Sequence, residues 1–471
     1  MAVPLHLHPD RLLPVDPGVR AIARRLYESV EDLPIISPHG HVPPAWIADD
    51  VPFSDPVSLL VTPDHYINRL LHADGVSLSN LGVPPGTPIT EVEARNAWTI
   101  FCARWPLFRG TPMKYWMEDV LADVFGVDVR PSEETANLIY DQIADALATP
   151  EFRPRALMDQ FGIEFMATTD DPCDDLASHD KLASDPDFHH RVAPTFRPDR
   201  YLEPARADWT ESIARLGEVS GIDTSTYAGW IEAMENRRAY FKDHGAVSSD
   251  HAHMDVQTEP VSLDDAEKIY ALAMAGRVNP IEAKALQQTM LFEQARMATD
   301  DGLTMTMHPA VYRNHHTGTF RTYGPDVGCD IPISVEFTRS LQPMLDAFGT
   351  NSNFTLVLFT VDETTYSREL APLAGFYPSV YVGVPWWFLD APESIRRFRK
   401  AVTEIAGFSR TSGFIDDTRA FLSIPARHDM SRRLDCGYLA ELVAEHRLEE
   451  DEAMEAAYSL VAVNPRRVFH V

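Results

Sequence analysis

"LPIISPHGH", residues 33–41, is an apolar run that ends in two histidines around one glycine. Its first half reads as a strand buried on both faces, mostly apolar and without alternation. The same layout recurs in "IEFMATTDD" (163–171), "HRVAPTFRPD" (190–199), "GAVSSDH" (245–251), "LTMTMHP" (303–309), "FTLVLFTVDE" (354–363), "SVYVGVPWW" (379–387) and "GFIDDTR" (413–419). Helical stretches lie between these runs. "LMDQFG" (157–162) ends a helix, with Gly162 at the C′ position before the second run. "PESIRRFRKAVTEIAGF" (392–408) spaces Ile395, Phe398, Val402 and Ile405 at steps of three and four, then stops at Gly407. Eight strand–helix repeats predict an α/β fold, a (β/α)8 TIM-type barrel.

One interval departs from a simple barrel. Residues 42–161 are mostly helical, as in "MKYWMEDVLADVFG" (113–126) and "SEETANLIYDQIADAL" (132–147). Leu138, Ile139, Ile143 and Leu147 form one apolar stripe there. The expected organisation is an N-terminal segment with the first strand (1–41), an inserted helical subdomain between strands one and two (42–161), and the rest of the barrel (162–471).

Composition narrows the function. The 471 residues are 45% apolar, ample for a large core, and carry a formal charge of −29. Such an acidic chain has no electrostatic footprint for nucleic acid or an anionic membrane surface. No apolar run reaches the roughly 18–20 residues that span a bilayer. No secretory signal is read at the N-terminus. Cys102, Cys173, Cys329 and Cys436 lie far apart and read as reduced thiols. A cytoplasmic protein acting on a small molecule is expected, with homo-oligomerisation left open.

In a barrel of this kind, chemistry gathers at the C-terminal ends of the strands. Those ends hold His39/His41, Asp170/Asp171, Arg197/Asp199, Asp250/His251, His308, Asp362/Glu363, Trp386/Trp387 and Asp417/Arg419. Packing alone does not repeat charge there, because unpaired buried charge is costly. His39 and His41, at i and i+2 of an extended strand, face the same side. With Asp417 they offer an N/N/O donor set for a divalent ion, most simply zinc, with positions left for substrate.

The HxH pair and Asp417 resemble the amidohydrolase superfamily. Longer stretches narrow the resemblance: "PDHYINRLLHADGV" (63–76), "MATTDDP" (166–172), "PTFRPD" (194–199), "SSDHAHMD" (248–255), "MHPAVYRNHH" (307–316), "PWWFLD" (385–390) and "DDTRAFLSIPARHDMSRR" (416–433). In this order they resemble the uronate isomerase (glucuronate isomerase) family over nearly the whole chain. The resemblance implies interconversion of D-glucuronate with D-fructuronate and of D-galacturonate with D-tagaturonate. It implies metal binding by His39, His41 and Asp417. It gives substrate-binding roles to His65, Arg197 and either Trp386 or Trp387, and catalytic roles to Tyr66, Asp250, His308, Asp417 and Arg419. Three positions depart from the usual family pattern. Gly40 stands where a cysteine is common, Asp416-Asp417-Thr418-Arg419 replaces TDSR, and "YRNHH" replaces LRNNN.

Aldose–ketose isomerisation moves hydrogen from C2 to C1 through a cis-enediol, with negative charge building on the former carbonyl oxygen. A cation or arginine there lowers the barrier, and arginine also grips a carboxylate bidentately. Arg197 and Arg419 suit both tasks. Tyr66 or His308 is expected to exchange the C2/C1 proton, and Asp250 to serve ring opening. Tyr66 acts as a base only if nearby positive charge depresses its pKa from about 10. His65 is its neighbour, although adjacent residues on a helix point in different directions. His308 is alternatively a third imidazole ligand. The competing reading is a metal-dependent hydrolase of a lactone or amide. Against it, no lysine stands at the fourth strand end to bridge a second metal.

Overall fold

The computed structural model describes residues 3–471. Its strands are β1 (Ile35–Ser37), β2 (Ile163–Ala167), β3 (Arg191–Ala193), β4 (Thr195–Phe196), β5 (Ser248–His251), β6 (Thr304–Met307), β7 (Val311–Tyr312), β8 (Ile331–Pro332), β9 (Leu356–Leu358) and β10 (Val380–Val382). Two parallel sheets result, ordered β1-β2-β3 and β10-β9-β6-β5-β4, while β7 and β8 pair antiparallel. The fold is therefore α/β with parallel sheets. Seven of the eight expected runs contain these parallel strands. The third is split at Pro194, which has no N–H to donate to a ladder. Beyond β2 the chain stays in contact with β4, where Asp170 N–H donates to Thr195 O (3.0 Å) and Arg197 N–H to Asp170 O (3.1 Å).

The eighth run, 413–419, does not form the expected strand. Gly413 (φ 78°) and Asp417 (φ 41°) are both left-handed, which rotates successive peptides out of a ladder. A side chain on Gly413 would also begin 2.5 Å from Pro465 Cδ. The segment keeps single main-chain links instead. Ser412 N–H donates to Val382 O (3.1 Å), and His41 N–H donates to Thr418 O (2.9 Å).

Helices fill the interval between β1 and β2, the longest being Glu91–Ala103 and Ala136–Leu147. Ile139, Ile143 and Leu147, at steps of four, are buried as expected. Leu138, one residue around the helix, is 58% exposed. Each fully buried Ile or Leu contributes about 1.5–3 kcal/mol. These helices share one core with Met430 and Leu434 of helix Ile424–Ala444. Helix Pro392–Ala406 ends before Gly407, and its Ile395, Phe398 and Val402 are buried, while Ile405 lies at the solvent edge. All four cysteines are free, and among the described residues no helix is long and apolar enough to cross a membrane.

Candidate active site

The chain leaves β1 through Pro38 and enters the HxH pair as irregular backbone. Thr169 Oγ1 donates to Gly40 O (2.9 Å), and the His41–Thr418 link ties the pair to the 413–419 segment. Asp417 Oδ1 lies 3.0 Å from His41 Nε2 and 3.4 Å from His39 Nε2. The left-handed backbone of Asp417 is uncommon outside glycine, though aspartate tolerates it better than most. Three ligand atoms, one from each residue, lie within 4.8 Å of one another. His39 Nδ1 and His308 Nε2 are buried without a hydrogen-bond partner among the described residues. Unmade bonds of this kind cost about 1–3 kcal/mol each. Burial lowers the His39 pKa to about 4, which keeps its imidazole neutral, the form that ligates. Burial would raise Asp417, but the two histidines hold its carboxyl far below the usual range. The donor set fits a divalent metal ion.

A second group sits beside it. Asp250, in β5, accepts from His308 Nδ1 (2.6 Å) and Thr306 Oγ1 (3.0 Å) on one oxygen. Its other oxygen lies 3.3 Å from Arg197 Nε, which is also 3.3 Å from Asp199. Burial opposes ionisation of Asp250, and His308, His39 and Arg197 together outweigh it, holding the carboxyl well below its ordinary value. The His308 ring is fixed by stacking on Phe359 (4.1 Å) and His39 (4.6 Å), with Trp386 edge-on at 4.8 Å.

The third group comes from the helical interval. Asp64 caps helix His65–Ala73 by accepting from Tyr66 and Ile67 N–H, which fixes His65 and Tyr66 in its first turn. The Tyr66 hydroxyl donates to the Asp390 carboxylate (2.8 and 2.9 Å). Arg427 donates to the same carboxylate (2.9 Å) and lies over the Trp116 ring. The depressed pKa that a tyrosine base requires is not found. Burial, reinforced by Asp390, pushes the hydroxyl well above 10, so Tyr66 enters the site protonated. Nor do His65 and Tyr66 point apart, because their rings stack at 4.7 Å. Burial, helped by Arg419, lowers His65 to about 3. Arg419 meets Asp326 at 3.3 Å. Trp387, with φ 49°, packs edge-on against His65 and beneath Arg313.

All eleven side chains given site roles from the sequence open on one pocket of about 400 Å³; of the other strand-end residues Asp199 joins them, while Asp170, Asp171, His251, Asp362 and Glu363 do not line it. Both tryptophans of the doublet line it. Sequence reasoning missed Asp390, Arg427 and Asp326. The first two lie inside the quoted stretches "PWWFLD" and "DDTRAFLSIPARHDMSRR", but away from any strand end, so position gave no signal.

A parallel-sheet α/β scaffold with titratable side chains gathered around one pocket defines an enzyme of small-molecule chemistry. The family model for glucuronate isomerase matches residues 19–467. A uronate isomerase of Cutibacterium acnes is 59% identical over 465 residues, covering 99% of this chain and 98% of the relative. The crystal structure of glucuronate isomerase from Caulobacter crescentus superposes with a TM-score of 0.97 at 44% identity, covering 99% of this chain and 98% of that one. The uronate isomerase structure from Thermotoga maritima gives 0.92 at 28% identity, covering 98% and 99%. This chain belongs to the glucuronate isomerase family. Its activity is that of a uronate isomerase, an aldose–ketose isomerisation, and the relatives do not favour the hydrolase alternative.

Proposed function

We propose that the enzyme interconverts D-glucuronate with D-fructuronate and D-galacturonate with D-tagaturonate, by proton transfer between C2 and C1 through a cis-enediol. One observation carries this reading: Arg197 and Arg419 open on the same pocket as the His39/His41/Asp417 set. A uronate needs a grip on its carboxylate and positive charge at its reacting oxygen, and this pocket offers groups suited to both.

In this reading the two arginines hold the carboxylate and the enediolate oxygens. Asp250, an ionised acceptor held between His308 and Arg197, takes the ring hydroxyl proton on opening. His308 exchanges the carbon-bound proton, and Tyr66, whose one O–H is donated to Asp390, accepts from a sugar hydroxyl. His65 and the Trp386/Trp387 doublet shape the wall. His39, His41 and Asp417 would hold the metal, zinc in our reading, which supplies positive charge where the enediolate develops.

We also read the two parallel sheets as arcs of one (β/α)8 barrel. The Asp170–Thr195, Ser412–Val382 and His41–Thr418 links support this, as they join the arcs and the 413–419 segment. The helical interval 42–161 is then a subdomain inserted between the first two strands, bringing His65 and Tyr66 over the site. Four free cysteines accord with a cytoplasmic protein.

The test is a coupled ketouronate assay on both substrates, with and without chelator. Asp417→Asn and Arg419→Met are each expected to lower kcat by about 10²–10³-fold, the usual cost of a lost electrostatic stabiliser. Their thermal midpoints are expected to stay near wild type. Near-normal turnover in both variants would remove the 413–419 segment from the chemistry.

A further inference from the structure

At the end of β5, the stretch "HAH" places a second pair of histidines either side of one residue: His251, the last of the strand, and His253 just beyond it. Their rings are nearly parallel (15°) with centroids 6.4 Å apart. Both are buried, at 1% and 3% exposure. Neither ring nitrogen of His251 has a hydrogen-bond partner among the described residues, and neither does Nε2 of His253. Burying three imidazole nitrogens unpaired is expensive, because each has given up its bond to water. Asp199, at the start of the turn after β4, supplies a carboxylate to the same spot. One ligand atom from each of Asp199, His251 and His253 lies within 4.8 Å of the others.

The spacing is informative. His253 Nε2 stands 3.5 Å from Asp199 Oδ1. That is long for a hydrogen bond but close to the edge of a tetrahedron with metal–ligand arms of about 2.1 Å, roughly 3.4 Å. The surrounding groups are arranged as they are around a metal centre. The other nitrogen of His253, Nδ1, is 3.1 Å from Glu203 Oε1, the carboxylate–histidine pairing that orients a ligating imidazole. Asp199 accepts the Ala252 N–H on both oxygens (3.0 and 3.2 Å) and lies beside Arg197. Its direction is thus fixed by main chain.

We propose that His251, His253 and Asp199 form a second divalent-metal site, with Glu203 orienting His253. The N/N/O donor set takes a borderline transition ion such as Zn²⁺ or Co²⁺. The site is separate from His39/His41/Asp417. Arg197 stands between the two, with its guanidinium Nε 3.3 Å from Asp199 and 3.3 Å from Asp250. An ion there offsets the charge of Asp199 and Glu203, both of which line the substrate pocket. It thereby serves a pocket that must admit an anion.

The full-length protein, stripped with chelator, is titrated with Co²⁺ while its visible spectrum and metal content after dialysis are followed. Wild type is expected to hold two ions per chain. His253→Asn, Asp199→Asn and Asp417→Asn are each expected to hold one, and the His253→Asn/Asp417→Asn double variant none. Circular dichroism monitors the fold. If His253→Asn does not fold, Asp199→Asn and the wild-type stoichiometry still decide. A single ion that survives both His253→Asn and Asp199→Asn but leaves with Asp417→Asn overturns the second site and spares the first. A single ion with the opposite pattern supports the second site and removes metal from the proposed isomerase centre. No bound ion in wild type overturns both.

Discussion

Gly40 sits between the two histidines of the candidate metal centre, yet its backbone needs no glycine. A Cβ there would meet Ala167 O and Thr418 O at 3.5 Å, ordinary contact. Gly40→Ala is therefore expected to stabilise the protein by about 0.4–1 kcal/mol, through the lower entropy of the unfolded chain. Urea unfolding measures this, and a fall in the midpoint would show that the strand exit needs glycine. Asp170 gives a pH-dependent counterpart. Burial pushes its carboxyl up to about 7, while an aspartate in the unfolded chain titrates at about 3.9. Between those values the folded protein keeps a proton the unfolded chain has lost, so its stability falls as pH rises from about 4 through about 7. Asp170→Asn removes that loss. Its gain over wild type is expected to be absent below about pH 4 and to reach at most roughly 4 kcal/mol by about pH 8. A difference that does not change with pH would refute it. At this scale the grouping of His39, His41 and Asp417 was legible because an HxH pair and a carboxylate each close an apolar run in the sequence. Asp390 was not, because its part in the site is to receive the Tyr66 hydroxyl and Arg427 across the fold, and pairing at such sequence distance leaves no local pattern.

Helix Ile424–Ala444 shows what a pattern-based reading of elements misses. It is buried on nearly every side although its sequence is rich in charge. Most of its titratable side chains have a fixed ionic partner: Arg427 with Asp390, His428 with Asp416, Arg433 with Asp429, and Asp435 with Arg399, while Arg432 donates to the main-chain carbonyls of Glu31 and Leu33. The Arg399–Asp435 pair is bidentate (2.6 and 2.7 Å) and lies outside the substrate pocket. Removing one partner leaves the other charged and buried, so Asp435→Ala is expected to cost about 3–5 kcal/mol. Its kcat, measured below the melting transition, should stay near wild type. A loss of kcat with stability intact would place this pair in the chemistry. The strands were legible for the opposite reason. β6, β9 and β10 sit in runs whose apolar character directly reflects burial on both faces. The 413–419 run offers only Phe414 and Ile415 as an apolar pair, and Gly413 and Asp417 take left-handed backbone, a property that composition does not encode.

Across the whole molecule, the charge of −29 opposes the approach of any uronate. At about 10 mM salt this repulsion extends roughly 30 Å, and at about 150 mM only about 8 Å. For substrate capture limited by approach, kcat/KM is expected to rise over that range while kcat stays flat, and initial rates at low substrate measure it. A fall with salt would mean that the arginines of the pocket, rather than the net charge, govern approach. The single main-chain bond between His41 and Thr418 has a different bearing, on the order in which the protein is made. His39 and His41 leave the ribosome more than 370 positions before Asp417. At about 5–20 residues per second that is roughly 20–75 s during which the nascent chain has two imidazoles and no carboxylate partner. Helix Ile424–Ala444, which brings Arg427 to Asp390, emerges later still. A chain released early would have its first histidines and most of its strands, but neither Asp417 nor the partner that holds Asp390. Completion of the site thus requires synthesis to have passed Arg427.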